Sequence, residues 1–228
     1  MGISNKIAID VLLSQEMRIC SIKAVVDFIN QNAVAIINNL DKESIDVYNF
    51  LQKEFQQSDV EKNLVFQFLF RSFYRLDNAG LTPDFKSEYF RIMQEERSKT
   101  VIDLESALDR LYNFKNRQDN KSFQFSFVTK LFNTIDNSLP IYDSEVARVF
   151  GLCRPYQKDF KIKYKRLKEQ LDLITEAYNA IISENLVHPA ISLFDSKFKN
   201  HQLSDMKRLD FIVWSAGKVM SKEQQEKA

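Results

Sequence analysis

Four glycines and four prolines among 228 residues leave little material for hairpins, since tight β-turns lean on glycine for positive φ. A β-rich fold is therefore disfavoured. Two cysteines, Cys20 and Cys153, are too few for a disulfide framework or a cysteine-rich zinc site, and both read as buried thiols. The two histidines, His188 and His201, show no ligand spacing and read as ordinary surface residues, so no metal and no cofactor is implied. Apolar runs such as Leu64 to Leu69 are broken well short of the roughly 20 residues needed to cross a bilayer. The first residues lack a basic region leading into an apolar stretch and a cleavage site, and the expectation is a cytoplasmic protein with no membrane partner. Lys and Arg number 32 against 31 Asp and Glu, and a net charge of +1 excludes a surface that attracts polyanions everywhere.

What the chain does have is helical periodicity almost throughout. The expected fold is all-α: a multi-helix globular bundle formed by residues 1–228 as a single unit. Helices are expected at Ile22 to Leu40, Ile45 to Phe55, Ile102 to Phe114, Pro189 to Phe198 and Asp205 to Ala216, with Gly217 capping the last. Ser58-Asp59-Val60-Glu61 reads as a capping box that opens a helix through Leu64, Val65, Phe68 and Leu69 and stops near Gly80. Thr82-Pro83 reads as the start of the next. The longest stripe, Phe160, Tyr164, Leu167, Leu171, Ile174, Tyr178 and Ile181, alternates steps of four and three and belongs on one face of a core helix. Arg154-Pro155 interrupts the pattern, and a boundary near 152–157 would divide two helical lobes with a cleft between them.

Chemistry is suggested in one stretch, Ser126 to Gly151. Lys130 lies on an apolar helix among Phe127, Val128, Leu131 and Phe132, where burial would disfavour its ammonium form and leave an amine able to attack an electrophilic carbon. The helix is expected to end by Pro140. Asp143 or Ser144 then suits the N-cap of a short helix running to Phe150. The same letters also fit a lysine on an amphipathic helix and an ordinary cap with no catalytic role. Basic residues crowd the following segment: Arg148 and Arg154, then Lys158, Lys161, Lys163, Lys165, Arg166 and Lys168, which fit either a solvated helix face or a phosphate-contacting patch.

At Phe123 to Gly151, and more weakly at Lys207 to Trp214, the chain resembles the helix-hairpin-helix DNA glycosylases, particularly the bacterial relatives of 8-oxoguanine DNA glycosylase. The resemblance implies a DNA-repair enzyme, a hydrolase and lyase, in which Lys130 attacks the sugar carbon of a flipped nucleotide and Asp143 assists base loss. Phe125-Ser126-Phe127-Val128-Thr129 stands where that family usually carries closely spaced glycines, and the interval from Lys130 to Asp143 is shorter than in its well-known members. The implied partner is double-stranded DNA, with Tyr142, Ser144, Arg154, Asp210 and Trp214 as candidate substrate-binding residues and Phe132 as a further pocket wall. Asp210 could face a cavity or pair with nearby Arg208. Three readings stay open: a glycosylase with lyase activity, a non-catalytic DNA-binding relative, and a helical protein-interaction module.

Overall fold

The computed structural model describes residues 22–226, and the fold they form is all-α. Cys20 lies outside the described residues. Among these there are eleven α-helices and no strand, only two isolated antiparallel bridges, Leu81 with Asn116 and Lys115 with Lys121. The helices are α1 (22–31), α2 (Ala33–Asn38), α3 (Lys42–Gln57), α4 (Leu64–Phe73), α5 (Pro83–Glu96), α6 (Leu104–Tyr112), α7 (Phe125–Ile135), α8 (Ser144–Val149), α9 (Phe160–Ser183), α10 (His188–Lys197) and α11 (Asp205–Glu226). A 3₁₀ turn, Leu76–Ala79, joins α4 to α5.

One contiguous core runs from Val25 to Ala216. Phenylalanine supplies much of it. Phe66, Phe70, Tyr74, Tyr89 and Phe90 interlock with centroid separations of 4.6 to 6.1 Å, mostly edge-on or tilted as ring quadrupoles prefer. The stripe on α9 packs as its spacing requires: Leu167, Leu171, Ile174, Tyr178 and Ile181 are buried, while Phe160 and Tyr164 are half-buried at its first turns. Thr82 caps α5 by accepting the Phe85 N–H at 3.3 Å, and Pro83 occupies the first turn, where its missing N–H costs nothing.

Five local expectations are corrected. Ser58 is not an N-cap but the end of α3, its hydroxyl donating to the Glu54 carbonyl, and α4 starts instead at Asn63, whose side chain accepts the Phe66 N–H at 3.0 Å. The capping-box letters fall in a turn because Asn63 stands at the right offset from the apolar run. α4 itself ends at Phe73, and Gly80, at φ 66°, closes the 3₁₀ turn rather than the helix. Gly217 is no cap: α11 continues to Glu226, and Gly217 is where it presses on α8. A Cβ there would stand 2.4 Å from the Glu145 carbonyl oxygen, so glycine is needed for close approach, not for a turn. Cys153 is exposed on the linker after α8, not buried. His188 is exposed; His201 is half-buried and bonded to Asp195 at 3.0 Å.

Candidate functional site

Lys130 and Asp143 are brought together by a fastening within the α7–α8 unit. Thr129, beside Lys130, accepts the Tyr142 N–H at 3.1 Å, and its hydroxyl lies 3.2 Å from the Tyr142 carbonyl. One turn on, the Asn133 amide donates to the Leu139 carbonyl at 2.6 Å and closes the loop after α7. Tyr89 on α5 donates to the Phe127 carbonyl at 2.8 Å and seats the first turn of α7. On the other side of the 141–143 segment, Asp210 accepts the Ile141 N–H at 3.4 Å. The Tyr142 hydroxyl donates to Gln170 of α9 at 2.6 Å.

The Asp143 carboxylate caps α8, its Oδ1 accepting the N–H groups of Glu145 and Val146 at 3.0 Å each. Such a cap contributes about 1 kcal/mol. Its Oδ2 has no hydrogen-bond partner among the described residues. The Lys130 amine has no hydrogen-bond or ion-pair partner among them either; it lies over the rings of Phe127 at 5.1 Å and Tyr74 at 5.9 Å. Burial pushes its pKa below the ordinary lysine value, the carboxylates of Asp143 and Asp210 pull it back up, and Lys207 and Arg75 press it down again.

Both groups open into one cavity of about 1050 Å³, ample for a nucleotide-sized ligand. Every candidate site residue lines it: Lys130, Asp143, Tyr142, Ser144, Arg154, Asp210 and Trp214. Phe132 does not; it is in the core behind α7. Of the basic run after Arg154, Lys163 alone reaches the cavity wall; Lys158, before α9, and Lys161, Lys165 and Arg166 on it are exposed, and Lys168 is half-buried and paired with Asp172. Arg148 lines the wall but is paired with Glu145 and donates to the Gly217 carbonyl at 3.2 Å.

Asp210 does not pair with Arg208, which binds Asp195 at 2.7 Å and Asp205 instead. Its partner is Lys207 at 2.7 Å, in an ion pair whose side chains are 3% and 7% exposed. Lys207 also reaches Asn133 at 3.4 Å and lies over Tyr48 and Phe211. Sequence reasoning missed Thr129, Asn133, Lys207, Arg75 and Lys218. The first two carried a usable signal: two polar residues four apart on the buried face of an apolar helix need partners, and a short polar loop follows directly.

In comparisons with protein-family models, curated proteins and solved structures, nothing matches the chain.

Proposed function

We propose that the cavity is the active site of a DNA base-excision glycosylase with lyase activity, acting on double-stranded DNA through a Schiff base on Lys130. The observation that carries this reading is a partnerless, desolvated amine and a carboxylate with one free oxygen sharing a nucleotide-sized hollow. The Nζ lone pair of Lys130 forms a bond to C1′ of the deoxyribose as the glycosidic bond breaks. The base leaves with the electron pair of the broken glycosidic bond and takes up a proton. Loss of a proton from nitrogen and cleavage of the C1′–O4′ bond, with O4′ taking up a proton, give a protonated imine; loss of a C2′ proton to solvent then forms the C2′–C3′ double bond as the 3′ phosphate leaves with the C3′–O electron pair. The Asp143 carboxylate offsets positive charge developing on the sugar. Tyr142 and Trp214 would flank the extruded nucleotide, with Ser144 and Asp210 as polar contacts and Arg154 at the mouth.

The test is borohydride trapping on duplex DNA carrying an abasic site or an oxidised base. Wild-type protein should give a covalent adduct, and K130A none. D143N should slow base release on the oxidised duplex while keeping the cap, because asparagine caps as well as aspartate. An adduct that persists in K130A overturns the lysine assignment. A second reading, binding without catalysis, draws on the commitment of Asp143 Oδ1 to the cap. It predicts salt-sensitive DNA binding with no adduct from any substrate.

A further inference from the structure

Two pairs of like charge stand on the cavity wall, and they are built alike. Arg75, between α4 and the 3₁₀ turn, neighbours Lys218 of α11; Arg154, on the linker after α8, neighbours Lys163 in the first turn of α9. In each, the arginine is exposed and the lysine half-buried across an aromatic face, Lys218 at 3.7 Å from the Trp214 ring centre and Lys163 at 5.2 Å from that of Phe123. None of the four side chains makes a hydrogen bond or ion pair with the described residues. The lysines carry the cost: burial lowers both pKa values and the neighbouring arginine lowers them further, with Glu145 and Asp41 drawing that of Lys218 only partly back.

Folding does not reward this arrangement. Three other partly buried cations have carboxylates, Lys86 with Asp77, Arg110 with Glu88 and Glu95, Arg208 with Asp195, and Arg97 has backbone carbonyls. Arg75 also holds a left-handed backbone, φ 59° and ψ 33°, that costs a non-glycine residue free energy and aims its side chain at the wall position it occupies. An anion would reverse the balance: a guanidinium presents two parallel N–H donors to phosphate oxygens, and an ammonium beside it supplies a second charge.

We propose that the two pairs are phosphate grips, each holding one phosphodiester of the DNA strand, on either side of the nucleotide whose sugar faces Lys130. This rests on reading the cavity as a nucleotide site. It assigns the strand-holding role to Arg75, Lys218, Arg154 and Lys163, and not to the run of lysines exposed further along α9.

The experiment measures affinity of the full chain for a fluorescent duplex with a tetrahydrofuran abasic analogue, which cannot form a Schiff base, across a salt series. R75Q/K218Q and R154Q/K163Q should each lower the magnitude of the slope of log K against log salt by about 1 and weaken binding at low salt about tenfold. K161Q/K165Q, on the exposed face of α9, should leave the slope within error of wild type. R75K/K218R and R154K/K163R, which keep the charges, should retain it. Slopes unchanged in both cavity pairs, with K161Q/K165Q showing the loss instead, overturn the proposal. So does inorganic phosphate or deoxynucleoside monophosphate binding as tightly as the duplex, since the grips would then serve a free phosphate. Because the analogue is inert, the two readings fail separately: no borohydride adduct together with the slope loss in both cavity-pair variants removes the chemistry and keeps the grips, while an adduct with no slope loss in those variants does the reverse.

Discussion

Lys130 on α7 is half-buried and Lys207 on α11 is buried, and the two amines differ most in what meets them. Lys207 is met by the Asp210 carboxylate at 2.7 Å, the Asn133 Oδ1 and two aromatic faces. Lys130 is met by two rings and an open cavity. A buried charge with its partner is a structural element, because each ion solvates the other and removing either strands its mate. A desolvated charge without one is held at a cost that only ligand or chemistry can recover. The same logic separates Arg208, clamped between Asp195 and Asp205, from Arg75, whose side chain has no hydrogen-bond or ion-pair partner among the described residues and which lies beside Lys218.

Breaking the paired side has the largest expected effect. Asp210→Ala strands Lys207 and frees the Ile141 N–H, and should cost about 3–5 kcal/mol in denaturant unfolding. A loss below about 1 kcal/mol would show that water reaches the pair and that the contrast with Lys130 is one of degree. Gly217→Ala leaves both lysines alone but drives a methyl into the Glu145 backbone, and should cost about 1–3 kcal/mol while shifting α8 and its Asp143 cap away from Lys130. Trapping should then fall further than stability alone explains.

Arg75→Gly should stabilise the protein by about 1 kcal/mol, by removing the left-handed strain, while weakening binding to the abasic-analogue duplex. Stability and binding moving the same way would mean the strain serves no ligand. The smallest effect is expected for Lys130→Met, which should stabilise the protein slightly at neutral pH, opposite in sign to Lys207→Met. The sign follows from the lowered pKa of Lys130. Between its folded value and about 10.5 the unfolded chain binds the extra proton, so wild-type stability rises with pH across that window. Below it the full cost of the buried ammonium is present, and the advantage of the methionine variant should shrink as pH climbs through it. Urea titrations from pH 7 to 10.5 measure this. An advantage independent of pH would show that packing, not charge, separates the two lysines.

Much of this was legible in the letters. Helix content, the α9 stripe, the Thr82-Pro83 start and the Asp143 cap all follow from local rules, since a helix satisfies its own backbone and its ends need nearby acceptors. Gly217 was misread because glycine permits both a left-handed cap and a close helix crossing, and only the presence of α8 selects between them. Lys130 and Asp143 were found from spacing within 14 residues, whereas Arg75 and Lys218, 143 positions apart, leave no common mark in the sequence.

Periodicity, caps and the scarcity of glycine and proline by themselves determined an all-α chain with an amine and a carboxylate on consecutive helices. Tertiary structure alone decided which cations have partners. Secondary structure is settled by neighbours along the chain, but the free energy of a charge depends on every group within several ångströms, and those groups come from α4, α7, α8, α9 and α11 at once.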